Sequence, residues 1–143
     1  MAILQQAKEV SFTPALFGNE ITGNAAGSAG ERRNLFEGLL FAEPELDVRE
    51  PRTKAFIERF KKRFKVEALP YGFWSAQAYD AVVLLATTIG RCGERVAKVR
   101  ECLLEVKDYE GVSGRILINQ DGDGVRNYLL KRISNGSPER LEQ

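Results

Sequence analysis

A helix that is apolar almost all the way round places the strongest constraint on the fold of this chain. It runs from about Gly72 to Arg91 and contains the run Ala-Tyr-Asp-Ala-Val-Val-Leu-Leu-Ala at residues 78–86. A helix of this kind is stable only where other elements cover most of its surface. We therefore expect it to be buried on most sides, which requires a layered fold with other elements packed against it.

Helices and short apolar strands alternate in the first half of the chain. Alternation of this kind is typical of α/β proteins, in which neighbouring strands pair in parallel. The predicted elements are a short helix over 2–9, a buried strand over Thr13–Gly18, a glycine-rich loop over Gly18–Gly30, a helix from about 28 to 36, a second buried strand over Gly38–Ala42 and an amphipathic helix over Arg52–Lys65.

The second half predicts two helices followed by two strands. An amphipathic helix over Glu94–Lys107 follows the apolar helix, and strands over Arg115–Asn119 and Arg126–Ile133 are joined by an Asp-Gly-rich turn. Residues 137–143 are polar and predict a flexible tail. Together the elements predict a three-layer α/β fold with a mostly parallel sheet and a C-terminal antiparallel hairpin.

The composition excludes several kinds of catalytic site. The chain has 143 residues and a net charge of +1, so it has no overall attraction to nucleic acid or to an anionic membrane. It contains no histidine, which excludes Ser-His-Asp and Cys-His nucleophile pairs and histidine-ligated metals. The first residues lack the basic and apolar regions of a signal peptide. We expect no catalytic residue, no metal and no cofactor.

Cys92 and Cys102 lie ten residues apart and do not form a Cys-x-x-Cys pair. Two interpretations remain open. They form a disulfide in an oxidising compartment, or they are two buried free thiols. The residues alone favour free thiols.

Two local patterns imitate other kinds of site. The segment Asn119–Gly124 resembles the start of an EF-hand loop, but its twelfth position is Leu130 and strands flank it, so we expect a hairpin turn without calcium. The helix over Arg52–Lys65 carries seven Lys and Arg residues and one acid, Glu58. It has no recognition motif, so a solvated helix face is favoured, and a small interaction or nucleic-acid-binding domain is the alternative.

Gly18, Asn19 and Glu20 directly follow the first predicted strand. In open α/β sheets, ligands bind beyond the carboxyl ends of the strands. A carboxylate placed there accepts charge-assisted hydrogen bonds from a ligand ammonium group. The competing interpretation is a solvated acid that caps a turn, and the residues alone favour it.

Aromatic residues open the apolar helix, among them Phe73 and Trp74. Aromatic side chains at the mouth of a cleft pack against the apolar part of a ligand. Aromatic side chains at the start of a helix are more often part of the core. Both interpretations remain open from the residues themselves.

The order of these elements resembles the end of the type I periplasmic solute-binding proteins, the branched-chain amino acid receptors of ABC importers. The resemblance spans nearly the whole chain as far as Gly136. The motifs that carry it are Ala78–Ala86, Gly111–Asn119, the turn Gln120–Gly124, and Ser134-Asn135-Gly136. It implies an incomplete type I fold, because that family has two full lobes and this chain supplies about the last two-fifths of them.

The resemblance also implies roles for particular residues. Glu20 occupies the strand-Gly-x-Glu element that binds the α-ammonium of the ligand, with Gly18 and Asn19 beside it. Trp74 matches an aromatic residue that reaches the ligand, and Phe73 is the nearby alternative. The Tyr79-Asp80 pair belongs to a packing motif and has no binding role.

At the scale of the protein, the resemblance implies that residues 1–65 belong to the second lobe and residues 70–136 to the first. The full-length protein would capture an amino acid or a similar ligand in the periplasm or outside the cell, for the permease of an ABC importer. Its leader would precede this chain. Half-lobes expose strand edges and apolar faces, so we expect the chain by itself to form a homo-oligomer and to bind ligand weakly or not at all.

Overall fold

Hydrophobic periodicity explains most of the helices in the computed structural model, which describes residues 2–141. In chain order the elements are α1 (Ala2–Glu9), β1 (Phe17–Asn19), α2 (Glu20–Gly27), a 3-10 helix (Gly30–Phe36), β2 (Leu40–Pro44), α3 (Pro51–Phe64), α4 (Phe73–Cys92), α5 (Val96–Leu104), β3 (Tyr109–Gly111), β4 (Gly114–Ile118), β5 (Gly124–Val125), β6 (Tyr128–Ser134) and β7 (Ser137–Arg140). The predicted bounds of α1, α3 and α4 are confirmed to within one residue. No helix in this range is long and apolar enough to cross a bilayer.

The elements form two compact units. The first contains the residues up to Pro44 together with those from Tyr128 onward, and the second contains Glu45–Asn127. The lobe boundary expected between residues 65 and 70 therefore falls in the loop between α3 and α4, inside the second unit. How these units correspond to the lobes of the longer family fold stays a prediction.

The first unit is built on a four-stranded sheet with the order β1-β2-β6-β7. β1 and β2 are parallel, and β6 runs antiparallel to both β2 and β7. One side of the sheet buries a small core of Ala26, Phe36, Leu39, Phe41 and Ile133. α2 packs closely on this core, because a side chain at Gly23 would collide with the Phe41 ring.

The second unit combines α3, α4 and α5 with the antiparallel sheet β3-β4-β5. Its core consists of Phe56, Ala76 and Val112, with Leu46, Ile57, Phe60 and Leu69 packed against it. α3 contributes through its aromatic face. Its first turn is capped by the Glu50 carboxylate, which accepts a hydrogen bond of 2.9 Å from the backbone N–H of Thr53.

The glycine-rich segment predicted as a loop contains a helix instead. α2 begins directly after β1 because the side chain of Asn19 caps it. Gly18 and Gly23 permit close packing and do not mark a loop, since neither has a positive φ. β1 is also shorter than predicted, and Phe17 on it is 75% exposed.

The predicted pairing of the last strands is wrong. β4 pairs with the short β5, through Leu117 opposite Val125, and β6 pairs with β2 in the other sheet. An antiparallel hairpin does end the chain, but it joins β6 to β7 through a turn at Asn135 and Gly136. β7 occupies most of the segment that was predicted to be a flexible tail. Residues 142 and 143 of that segment lie outside the described range.

The predominance of parallel strands is likewise not observed in residues 2–141. The α/β class is confirmed, but β1 and β2 form the one parallel pair, and the other four pairings are antiparallel. The apolar runs of β1 and β2 predict a parallel pair correctly, but these two strands are only part of the sheets. Three of the antiparallel pairs join strands that follow one another along the chain through a turn. The fourth joins β6 to β2, which are distant in the sequence.

α4 is less buried in residues 2–141 than its composition predicts. It buries Phe73, Ala76, Asp80 and Thr88, whereas Val82 is 68% exposed. Its C-terminal end is tied to α5 by a disulfide between Cys92 and Cys102, whose Cα atoms are 6.7 Å apart. The expectation of free thiols was therefore wrong. The last turn of α4 lies beside the C-terminal part of α5 and brings the cysteines together, and a sequence separation of ten residues does not reveal this.

Candidate functional site

The predicted ligand residues belong to two different compact units, and the group in the first unit lies at the end of β1. Asn19 is the last residue of β1 and Glu20 is the first residue of α2. The Oδ1 atom of Asn19 accepts hydrogen bonds from the backbone N–H and the hydroxyl of Thr22, both at 3.2 Å. These bonds position the first turn of α2 at the carboxyl end of the strand.

Glu20 stands where a negative charge is favoured. A carboxylate in the first turn of a helix interacts favourably with the positive end of the helix dipole. The side chain is half-buried, and no other group within residues 2–141 forms a hydrogen bond or ion pair with it. Its acceptor oxygens are therefore available to a ligand donor.

Gly18 and Asn19 act on this carboxylate indirectly. A Cβ atom at Gly18 would lie 2.8 Å from the Cβ of Thr22, so glycine allows the strand to end directly beneath the helix turn. Because the Oδ1 atom of Asn19 is already used in the cap, only its amide nitrogen remains for a ligand. Of the three predicted residues, Glu20 therefore offers the available carboxylate, and Gly18 and Asn19 hold the turn that carries it.

The group in the second unit lies at the start of α4. Gly72 precedes the helix with a φ of +46°, which glycine adopts without strain. Phe73 is buried, and the guanidinium carbon of Arg126 lies 5.1 Å from the centre of its ring, a cation–π contact. Trp74 is 46% exposed and meets Phe73 edge-on, with ring centres 5.4 Å apart. Trp74 is therefore the more exposed of the two predicted aromatic side chains, and Phe73 packs against it.

A cleft of about 500 Å³ lies beside Phe73 in the second unit. Its charged side chains include Asp47, and a hydrogen bond from the Arg49 side chain holds the pKa of Asp47 below its ordinary value of 3.8. Sequence reasoning missed this cleft, because its residues come from a connector, a helix and two strands, with no common spacing. It is lined by Glu45, Asp47, Phe73, Ser113, Gly114, Arg115, Leu117, Val125, Arg126 and Asn127.

Asp80 has a structural role that goes beyond packing, because its carboxylate is hydrogen-bonded to the turn between β3 and β4. It is fully buried, and its carboxylate accepts hydrogen bonds from the backbone N–H of Val112 at 2.8 Å and from that of Ser113 at 2.7 Å. The hydroxyl of Ser113 donates a third bond at 2.5 Å. A side chain at Gly111 would collide with the carboxylate. The sequence signal for this contact is that Asp80 is a single acid within an apolar helix, where a buried carboxylate needs hydrogen-bond donors.

Glu37 has a structural role in the first unit. The Glu37 carboxylate accepts hydrogen bonds from the backbone N–H groups of Asn135 at 3.1 Å and Gly136 at 3.2 Å, which hold the turn between β6 and β7. The turn after β4 is closed in a similar way, because Oδ1 of Asn119 accepts from the backbone N–H of Asp123 at 2.8 Å. Within residues 2–141 no cluster of three or more metal-binding side chains occurs.

Similarity to known proteins extends over nearly the whole chain. The family model described as periplasmic binding protein matches residues 1–138. A leucine-, isoleucine-, valine-, threonine- and alanine-binding protein of Pseudomonas aeruginosa is 31% identical over 132 residues, which are 88% of this chain and 32% of that protein. The chain thus spans about a third of the length of this curated relative.

Solved structures give the same result. A leucine-binding protein of Thermotoga maritima matches with a TM-score of 0.70 and 26% identity, over 98% of this chain and 40% of that one. A substrate-binding protein of an ABC transporter from Desulfitobacterium hafniense, in complex with Leu, matches with a TM-score of 0.65 and 26% identity, over 98% and 39%. None of these relatives supports the alternative of a nucleic-acid-binding domain. The chain belongs to the type I periplasmic binding proteins of the branched-chain amino acid family, and it corresponds to part of such a protein.

Proposed function

We propose that this chain helps a receptor to capture an amino acid or a similar small ligand, and that Glu20 binds the ammonium group of that ligand. The receptor would work in the periplasm or outside the cell and would deliver the ligand to the membrane permease of an ABC importer. It performs no chemistry on the ligand. The name of the Pseudomonas aeruginosa relative supports an amino acid as the ligand class.

The available carboxylate of Glu20 is the observation that carries the proposal. A half-buried acid without an internal partner is costly unless a donor or water satisfies it. A ligand ammonium group supplies both a positive charge and several donors, and a hydrogen bond to a charged group contributes about 1.5–3 kcal/mol. Its position at the carboxyl end of β1 is where open α/β sheets bind ligands.

Trp74 is proposed to contact the apolar part of the ligand. Its exposed indole can bury the side chain of a leucine-like ligand, and burial of apolar surface contributes roughly 25 cal/mol per Å². The indole is wider than a phenyl ring, so we expect it to favour slim or flexible ligands. Gly18, Asn19 and Phe73 hold the two contacting side chains in place.

Thermal shift is the first test of this proposal. The purified chain is heated with branched, aromatic and other neutral amino acids at concentrations up to the millimolar range. Because the chain corresponds to part of a receptor, we expect weak binding, which would appear as a small saturable rise in melting temperature with at least one of them. The rise should be absent in Glu20→Gln and kept in Glu31→Gln, which changes an exposed acid of the 3-10 helix by the same charge.

A chimaera tests the same residue where both lobes are present. The chain replaces the matching segment of the Thermotoga maritima leucine-binding protein, which aligns with 98% of it. We expect leucine affinity by calorimetry to fall roughly 10- to 100-fold in Glu20→Gln, the equivalent of one charge-assisted hydrogen bond. Equal affinity for Glu20→Gln and Glu31→Gln in a folded chimaera would refute the role of Glu20.

A further inference from the structure

We propose that the solvent-facing side of α3 binds the surface of an anionic phospholipid bilayer. We call this surface the basic face, and it consists of Arg52, Lys54, Arg59, Lys61, Lys62, Arg63 and Lys65. The proposal is independent of amino acid binding, since it involves neither Glu20 nor Trp74. It concerns where the receptor lies when it meets a membrane, and not which ligand it carries.

Positive charge is concentrated on this helix. The whole chain has a net charge of +1, yet the basic face holds seven of its 21 Lys and Arg residues. Glu58 is the one acid between Arg52 and Lys65. A nearly neutral protein with one strongly basic helix has a local attraction to anions that its total charge conceals.

Most of the basic face forms no ion pair within the described part of the chain. Arg52 pairs with Glu110 at 3.1 Å and Lys61 with Glu58 at 3.7 Å. The other five side chains of the face form no ion pair with any residue in 2–141, and all five are exposed. Their charges are therefore available to anions outside this part of the protein.

The basic face should remain at the surface of a longer protein as well. Lys and Arg are almost never fully buried without a partner, because removing their charge from water is costly. The exposed apolar face of α4, which includes Val82, is different, because additional polypeptide could cover it without removing a charge from water. This difference selects the basic face as the stronger candidate surface.

An exposed aromatic side chain favours a bilayer over other polyanions. Phe64 ends the aromatic row of α3 and is 60% exposed, with its ring centre 4.5 Å from that of Phe60. Lys61 lies one turn before it, at i−3 on the same side of the helix. An apolar ring beside a cation can enter the headgroup region while the cation meets a lipid phosphate. The bases of duplex DNA are stacked inside the double helix, so a duplex offers this ring less apolar contact.

The buried aromatic face of α3 limits how deeply the helix can insert. Phe56 is buried and Phe60 is half-buried in the second unit, so Phe64 alone is free for the membrane. Binding should therefore be mainly electrostatic and reversible. Each Lys or Arg near an anionic surface strengthens binding about fivefold, and this contribution decays within a Debye length.

Vesicle co-sedimentation with the full chain tests the proposal. The vesicles contain either phosphatidylglycerol mixed with phosphatidylcholine or phosphatidylcholine alone. The test variant changes Lys54, Arg59 and Lys62 to Gln, three exposed residues that form no ion pair with any residue in 2–141. The control changes Arg95, Lys98 and Arg100 to Gln at α5, with the same change in net charge. Phe64→Ser examines the aromatic contact, and melting temperatures check that every variant folds.

We expect binding to the anionic vesicles alone, and loss of that binding in about 0.5 M salt, where the Debye length is a few ångströms. The test variant should bind on the order of 100-fold more weakly, from three fivefold contributions, and the control variant much less so. Phe64→Ser should weaken binding at both low and intermediate salt.

Three results would overturn the proposal. The first is no binding to anionic vesicles at low salt. The second is equal loss in the test and control variants, which would mean that total charge matters and the basic face does not. The third is tighter binding to duplex DNA than to anionic vesicles at the same salt concentration, which would assign the face to nucleic acid.

Discussion

At the scale of single residues, the most consequential side chains are two acids with opposite roles. Asp80 is buried and has three hydrogen-bond donors around it, whereas Glu20 is half-buried and has none within residues 2–141. The first is satisfied by the fold, so its loss should reduce stability. The second is left unsatisfied by the fold, so its loss should affect binding. Burial and partners separate these roles where residue type does not.

Replacing Asp80 by Asn should destabilise the second unit by roughly 1–3 kcal/mol. The amide NH₂ group would face a backbone N–H where the carboxylate now accepts, so one buried donor would lose its acceptor. Urea unfolding followed by circular dichroism measures this change. Asp121→Asn, in the exposed turn after β4, is the matched control and should change stability by less than about 0.5 kcal/mol. Equal stability of the two variants would contradict the structural role of Asp80.

At the scale of elements, helices with a strong apolar period were predictable and the short strands were not. The row Phe56, Phe60 and Phe64 predicted α3 because residues four positions apart share one face of a helix, whereas a strand would place Glu58 and Lys62 on the same face as the rings. β4 and β6 have apolar patterns that allow several partners. Their pairing depends on which core each strand completes, and Ile133 of β6 completes the core of the first unit.

α5 depends on the disulfide more than the other helices do. It has nine residues, buries none of them fully and has no side-chain cap. Helices shorter than about 12–15 residues are marginal in water, so α5 needs its attachment to α4. Replacing Cys92 and Cys102 by Ser should cost about 2–3 kcal/mol, the value expected for a loop of this length.

Hydrogen exchange measured by mass spectrometry locates this loss. We expect the amides of residues 96–104 to exchange faster in the double Ser variant or in the reduced chain. Those of α3 should keep the protection that they have in the oxidised chain. Unchanged protection of α5 after reduction would show that packing alone holds the helix.

At the scale of the whole molecule, the open apolar face of α4 should govern association. In residues 2–141, Trp74, Val82 and Leu85 are all exposed on this helix. Exposed apolar patches on soluble proteins usually mark contacts with other surfaces. We predict that the isolated chain forms a dimer or larger homo-oligomer through this face.

Size-exclusion chromatography with light scattering measures this association. Val82→Lys should shift the chain toward the monomer. Val48→Lys, at an exposed apolar position in the connector before α3, should not do so. A monomeric parent chain at high dilution as well as at high concentration would count against the prediction.

The family and the α/β class were recognisable from sequence because they depend on local order. Motifs such as Ala78–Ala86 and Ser134-Asn135-Gly136 can be recognised from neighbouring residues, and their order along the chain resembles that of the family. The candidate acid at Glu20 was found for the same reason. Its availability was not predictable, since that depends on which groups the fold places around it.

The sequence by itself determined where the helices with a strong apolar period lie and which motifs follow one another, because helical periodicity and spacing are local properties of the chain. The tertiary structure alone decided that Cys92 bonds to Cys102, that β6 joins β2, and that Asp80 receives the N–H groups of Val112 and Ser113. Each of these contacts joins segments that are separated along the chain. The strand pairing and the contacts of Asp80 form because they complete buried cores, whereas the disulfide forms because the last turn of α4 lies beside α5.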